Sequence, residues 1–300
     1  MINLTKIQEE RSIEELIKFS IINIDKPAGP TSFNADVEIK KSLGLTKTSH
    51  FGTLDPIVTG VLPVALSRAC RLMPYFIGKK KTYVGIMRMH NEISIEEINK
   101  HIKNFIGKIS QLPPVKSRVK REFREREVYS FKILEVSENK KDFLFETEVE
   151  AGTYIRKLIH DLGQAIDDSN GAHMIELRRI QASIFNEKDS ITIYQFLEAV
   201  EDYKKGNEKK LRLMLIPGEI ISKVLPVVYV KKQYLIKLYH GSPLFKEHFE
   251  NIKQIEDIKN EEKVALFNDD NFVGVFNLVK SKKKESNVIA TPEFVLQPIK

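Results

Sequence analysis

One cysteine, no tryptophan and no long apolar run set the first limits on this 300-residue chain. The lone Cys70 excludes a disulfide framework and a zinc site built from several thiolates. It follows Ala69 in an apolar context and reads as a small core residue rather than a reactive thiol. No run reaches the ~18 apolar residues that a spanning helix needs, and the polar stretch Met1 to Glu15 lacks the apolar segment of a secretion signal. The expectation is a soluble, intracellular protein with no membrane partner. Neither sign of charge is scarce: 48 Lys and Arg against 41 Asp and Glu leave a net charge of +7. A hydrophobic fraction of 42% is enough for real cores, which excludes a disordered chain. The length fits one large domain or two ordinary ones. The basic balance suits a polyanion such as nucleic acid, and equally a lysine-rich soluble protein.

Local patterns divide the chain. Ser20 to Ile24 reads as a strand, stopped by Asp25-Lys26-Pro27-Ala28-Gly29-Pro30. Thr31 or Ser32 then caps a helix to about Ser42, with Phe33 and Val37 on one face and Gly44 closing it. Val61 to Leu66 is a buried strand, and Ser67 is placed to cap a short helix to Phe76. Lys81 to His90 is a further strand. Ser94 and Glu97 form a capping-box pattern for a helix to Ile106, ended by Gly107. Val128 to Val136 and Asp142 to Glu150 read as strands around a polar turn. Tyr154 to Leu162 is helical with Gly163 as its stop, Met174 to Ile180 is a strand, and Ile193 to Tyr203 is an amphipathic helix. From about Leu225 the pattern changes to short strands with turn signals at Gly241-Ser242-Pro243 and Asn268-Asp269-Asp270-Asn271. That is an all-β module of some 75 residues.

The chemistry concentrates in His50-Phe51-Gly52-Thr53-Leu54-Asp55-Pro56, followed by Thr59-Gly60-Val61-Leu62. A carboxylate in a Gly- and Pro-rich turn most often bonds nearby backbone N–H groups. Held on a stiff turn beside a core strand, it is also a candidate nucleophile. Three more segments accompany it in order: Asp25-Lys26-Pro27-x-Gly29-Pro30-Thr31-Ser32, Lys81-Thr82-Tyr83, and Gly152-Thr153-Tyr154-Ile155-Arg156-Lys157-Leu158 with Leu177-Arg178-Arg179 beyond it. Together these motifs resemble the pseudouridine synthases of the TruB and dyskerin families.

The resemblance implies an α+β fold. A catalytic domain with a mixed, mainly antiparallel central sheet flanked by helices would span 16–222. A small β-barrel-like PUA domain would span 223–300, and an N-terminal extension, 1–15, would pack on it. It implies that the chain isomerises uridine to pseudouridine in RNA. That reaction breaks the N1–C1′ bond, turns the base and joins C5 to C1′, with no redox step or group donor, so neither cofactor nor metal is called for. Asp55 would be the nucleophile, or the base that starts elimination at the sugar. Arg156 would hold Asp55 ionised by a two-toothed pair. Tyr83 would stack on the base and remove the C5 proton, for which a phenol of pKa about 10 needs local tuning. Leu177 would wall the pocket, Lys26 would brace the Tyr83 region, and His50 would wedge into the RNA where the uridine leaves its stack. Tyr129, Tyr154, His160 and Asp161 read as packing or structural residues.

Two places depart from the family pattern. Ser49 stands where a glycine is usual and Phe51 where a small polar residue is. The segment Ile180-Gln181-Ala182-Ser183-Ile184-Phe185 also lacks its usual glycine. The compact basic stretch Lys116-Ser117-Arg118-Val119-Lys120-Arg121, with its candidate RNA contacts Lys116, Arg118, Lys120 and Arg121, replaces the longer insertion of bacterial relatives. This likens the chain to the dyskerin-type catalytic subunit of H/ACA ribonucleoproteins, of archaeal type and cytoplasmic. The partners would be guide H/ACA RNA, substrate rRNA and small ribonucleoprotein proteins. The PUA module, with Gly241 in its Tyr239-His240-Gly241 turn, would hold the guide RNA. Lys280 to Lys284 would touch phosphates or keep a loop soluble. A stand-alone enzyme for the tRNA T-loop and an RNA-binding scaffold without catalysis are the alternatives.

Overall fold

The computed structural model describes residues 2–113, 120–167, 171–255, 258, 262–279 and 287–298. The chain forms two compact units, one of Met1–Ile21 with Leu215–Lys300 and one of Ile22–Met214. The polar N-terminal stretch is not an extended arm. It forms α1 (Leu4–Glu10) and α2 (Ile13–Lys18). Ser12 and Glu15 close a reciprocal capping box on α2. The apolar residues Ile7, Ile13, Leu16 and Ile17 recur at helical spacing and are buried. The polar residues also find partners in this unit. The Asn3 amide donates to Asp270 at 3.0 Å, Gln8 donates to the Leu215 carbonyl at 2.8 Å, and Arg11 pairs with buried Glu219 at 2.7 Å.

The second unit begins within β1 (Ser20–Lys26). After it, α3 (Ser32–Ser42) is capped by the Thr31 hydroxyl and closes before Gly44, at φ +64°. Its buried face is Ala35, Asp36 and Ile39 rather than Phe33 and Val37; Phe33 lies open on the surface. β2 (Thr48–His50) pairs antiparallel with the apolar β3 (Thr59–Leu66). Ser67 does not cap the next segment. It takes φ +45° as the first residue of a 3-10 turn that leads into α4 (Met73–Ile77). β4 (Lys81–Met89) alternates strictly, burying Lys81, Tyr83, Gly85 and Met87. In α5 (Ile95–Ile102) Ser94 caps the Glu97 amide, but Glu97 turns to His101 instead of completing the box.

β5 (Gly107–Gln111), β6 (Arg124–Val136) and β7 (Asp142–Val149) follow as a meander. α6 (Ile155–Ile166) runs on through Gly163, the expected stop. That glycine serves a close approach: a Cβ there would lie 2.1 Å from the Ala172 nitrogen. β8 (Ala172–Ala182), the short β9 (Phe185–Asn186) and β10 (Ile191–Thr192), α7 (Ile193–Lys204) and α8 (Lys209–Met214) complete the unit. The strand order is β10-β1-β3-β8-β4-β7-β6-β5. β1–β10 and β3–β8 are parallel, and the β8–β4–β7–β6–β5 run is antiparallel. This is the mixed, mainly antiparallel sheet that the motifs imply.

The chain ends rejoin where β11 (Ile216–Pro217) pairs with Ser20 and Ile21. Then come β12 (Val227–Tyr229), α9 (Leu235–Tyr239), β13 (Leu244–Phe245), β14 (Lys263–Asn268), β15 (Asn271–Leu278) and β16 (Val288–Val295). They form a second sheet in the order β12-β14-β15-β16-β13. Its core gathers Val228, Leu238, Leu244, Phe249, Val264 and Phe276. Phe19 stacks on Phe272 at 5.7 Å and brings the N-terminal segment onto this unit. The run Lys280 to Lys284 lies outside the described residues.

Candidate active site

The loop from Gly52 to Val61 is held mainly by side chains that bind its backbone. Arg179, almost fully buried on β8, donates to the Gly52 carbonyl at 2.9 Å and to the Val61 carbonyl at 2.8 Å, so one guanidinium clamps both ends. Gly60, at φ +100°, sits directly against Arg179, where a Cβ would lie 2.2 Å from its carbonyl oxygen. The Ser32 hydroxyl accepts from the Leu54 amide at 2.8 Å. Lys26 supplies the middle brace. It is wholly buried and donates to the carbonyls of Pro27, Pro56 and Val58 at 2.7, 3.1 and 3.0 Å. Burial pushes its pKa down, and the charge of Asp55 pulls it back up. Lys26 therefore spends two of its protons on the Asp55 loop and one on its neighbour Pro27.

Asp55 is exposed on this clamped loop, as are Thr53, Pro56 and Ile57. Its carboxylate pairs with Arg156 in the first turn of α6, and the two side chains are 48% and 55% exposed. The carboxylate is thus half open. An exposed pair of this kind adds little stability. Gln111, buried on β5, fixes the approach to α6. Its side chain accepts from the Tyr154 amide at 3.0 Å and donates to the Tyr154 carbonyl at 3.2 Å.

Sheet register relates Tyr83 and Leu177 to Arg179, the residue that holds the loop. Gly60 pairs with Arg179 across β3 and β8, and Arg179 pairs with Tyr83 across β8 and β4. Gly85 pairs with Leu177 on the same face. A Cβ at Gly85 would lie 2.9 Å from Leu177 Cδ1, so the missing side chain leaves room for Leu177. Lys81 is also on this face. It donates to the Ile77 and Lys79 carbonyls, each at 2.6 Å, and burial followed by the Arg179 charge pushes its pKa down to about 8.

His50 is held at both ring nitrogens. Nδ1 lies 2.6 Å from Asp36 Oδ2 and Nε2 lies 3.0 Å from Thr53 Oγ1. Two of the residues that depart from the family pattern, Phe51 and Ser183, have visible surroundings. Phe51 is buried and stacks on Phe76 at 5.0 Å, with Phe185 tilted against both rings. Ser183 takes φ +57°, the left-handed conformation that a glycine adopts without strain.

Of the other candidates, Lys120 and Arg121 are exposed, with Lys120 paired to Glu122 at 3.1 Å, and Lys116 and Arg118 fall outside the described residues. Gly241, at φ +84°, follows α9. Among the described residues no group of His, Cys, Asp and Glu side chains is suited to a metal ion, and no helix is long and apolar enough to cross a membrane. Sequence reasoning passed over Arg179, Gln111 and Asp36. Paired arginines within a strand were a signal for the first, because alternation turns one of them inward. Asp36 and Gln111 carried none.

The TruB family pseudouridylate synthase N-terminal domain matches residues 40–155, and the tRNA pseudouridylate synthase B C-terminal domain matches 156–222. A probable tRNA pseudouridine synthase B of Methanocaldococcus jannaschii is 42% identical over 79% of this chain and 69% of its own length. The chain belongs to the TruB family of pseudouridine synthases. The Archaeoglobus fulgidus relative of the same description is 38% identical over 86% of this chain and 78% of its own. This TruB-family enzyme also matches a DKCLD (NUC011) domain over residues 8–35, which marks it as dyskerin-type. It is similar to a chain of a Cbf5-Nop10-Gar1 complex, with TM-score 0.85 and 37% identity over 97% of this chain and 89% of that one. It is likewise similar to a chain of an H/ACA RNP bound to a substrate RNA containing 2′-deoxyuridine, with TM-score 0.84 and 35% identity over 97% and 89%.

Proposed function

We propose that this pseudouridine synthase is the catalytic subunit of an H/ACA ribonucleoprotein, directed to uridines of rRNA by a guide RNA. The likeness over 97% of the chain to a chain of an H/ACA RNP that holds substrate RNA carries this reading. Asp55 is its nucleophile. The carboxylate attacks the ribose, or starts elimination there, as the N1–C1′ bond breaks. Arg156 orients it. The freed base turns over the surface of Tyr83 and Leu177, and C5 bonds to C1′ as the Asp55 carboxylate leaves that carbon, or, on the elimination route, as Asp55 returns the proton it took from the sugar. The C5 proton then leaves by way of Tyr83 to be returned at N1. Atoms and electrons balance without a cofactor.

His50 meets the RNA where the uridine leaves its stack. Lys116, Arg118, Lys120 and Arg121 are its phosphate contacts, and residues 223–300, Gly241 included, form a PUA domain that holds the guide, with 1–15 packed on it. Small proteins of the kind named in the Cbf5-Nop10-Gar1 complex are its partners. A second reading, direct action on tRNA, is favoured by the descriptions of the relatives.

The test is reconstitution with guide RNA and small partner proteins, followed by mapping of pseudouridine in an rRNA target. Product should depend on a matching guide, and Asp55→Asn should abolish it while RNA binding stays nearly intact. Efficient conversion of a tRNA transcript without guide would select the second reading. Near-normal turnover by Asp55→Asn would overturn the assignment of the nucleophile.

A further inference from the structure

We propose that Asp36 is a positioning residue of the catalytic loop, acting through His50 and Thr53. The proposal rests on the reading of Asp55 as the reacting group. Asp36 lies on the buried face of α3, between the apolar Ala35 and Ile39. Its Oδ2 is 2.6 Å from His50 Nδ1. An ionised carboxylate only accepts hydrogen bonds, so the ring proton is assigned to Nδ1. The far nitrogen, Nε2, is then aimed at the Thr53 hydroxyl, 3.0 Å away. Thr53 stands two residues before Asp55. The path runs from a fixed helix, through the imidazole, to a side chain of the loop whose backbone Arg179, Ser32 and Lys26 already hold. A histidine with only one partner could spin about its side-chain bond and exchange tautomers. With partners on opposite edges, the ring has one orientation.

Stability alone does not account for Asp36. Its second carboxylate oxygen is buried, and no described protein group donates to it. A buried carboxylate served at one oxygen is a net cost to the fold. An apolar residue of similar size would fill this helix face without that cost. What Asp36 alone supplies is an acceptor that selects the His50 tautomer.

The experiment uses the full chain in three variants, Asp36→Leu, Asp36→Asn and His50→Gln. Proton–nitrogen NMR on protein labelled with 15N-histidine reads the His50 tautomer, with its signal assigned by its loss in His50→Gln. The wild type should carry the proton on Nδ1, and Asp36→Leu should lose that preference. In the assembled complex with guide and substrate RNA, single-turnover rates should fall on the order of 10- to 100-fold in Asp36→Leu. RNA affinity and melting temperature should not fall with them. Asp36→Asn keeps an acceptor and should recover most of the loss. The double variant Asp36→Leu/His50→Gln should be no slower than His50→Gln alone.

A proton on Nε2 in the wild type would overturn the proposal, as would losses that multiply in the double variant. A wild-type complex that makes no pseudouridine would count against the reading of Asp55, while the tautomer would still decide that of Asp36.

Discussion

Replacing Lys81 by methionine should change how the stability of this protein depends on pH. Lys81 stands on the buried face of β4, among the residues behind the catalytic loop. Burial, and then the neighbouring charge of Arg179, push its pKa from 10.5 down to about 8. Each tenfold change in proton affinity is worth ~1.4 kcal/mol, so the fall corresponds to about 3 kcal/mol. The direction follows from proton counting. Between about 8 and 10.5 the unfolded chain keeps this proton and the folded chain has lost it. The unfolded state then binds more protons, and stability rises with pH. The contribution is complete above 10.5 and is lost as the pH falls through about 8.

Lys81→Met has no such group. The stability of the wild type minus that of the variant should therefore climb by about 3 kcal/mol between pH 7 and 10.5. Urea titrations of both proteins, followed by circular dichroism at several pH values in this window, measure it. Taking the difference removes the titration of every other lysine and tyrosine. A constant offset would come from the two carbonyls left without their donor and is not the readout. Two profiles that run parallel would show that Lys81 keeps its ordinary affinity for a proton and refute the reasoning.

Three further outcomes can be checked. Gly60→Ala places a Cβ 2.2 Å from the Arg179 carbonyl oxygen at a φ of +100°. It should cost about 3 kcal/mol or more, and lower the melting temperature by roughly 6–12 °C. Ser183→Gly relieves the left-handed backbone while giving up some unfolded-state restriction, and calorimetry should find it more stable by about 0.5–1 kcal/mol. Arg11→Met strands the buried Glu219 and should destabilise the unit that holds both by about 3 kcal/mol at neutral pH. Burial already raises the Glu219 pKa, so the folded form takes up its proton first and the deficit of Arg11→Met should shrink as the solution is acidified. A deficit that stays constant with pH would contradict this.

Much of the fold was legible because local signals and burial agreed. Thr31 caps α3, β3 is one apolar run, and the segment from Lys81 forms strand β4. The failures have physical causes. Gly163 looks like a helix stop, yet it answers a strand passing at close range, and no local pattern records a neighbour distant in sequence. Ser67 and Ser183 occupy positive φ without the glycine that would announce it. α1 and α2 were hidden by polar residues whose partners lie some two hundred residues or more away.

At the site, the motifs singled out Asp55, Tyr83 and Arg156, and the structure brings Asp55 and Arg156 together. The bonds from Lys26 to the Pro56 and Val58 carbonyls were not legible, because they depend on how the loop folds back. The unusual Phe51 was explained only by the two other rings it meets.

The unit formed by Met1–Ile21 with Leu215–Lys300 has a consequence for synthesis on the ribosome. The segment with α1 and α2 emerges long before the strands it packs against. Roughly two hundred residues intervene, a wait on the order of 10 to 40 s at ordinary translation rates. During that interval Ile7, Leu16 and Phe19 have no native cover, and the intervening unit can fold first. Nascent chains stalled near residue 214 should therefore expose a sticky leader that chaperones or proteases recognise, and release should follow only once β14 and β15 have left the exit tunnel.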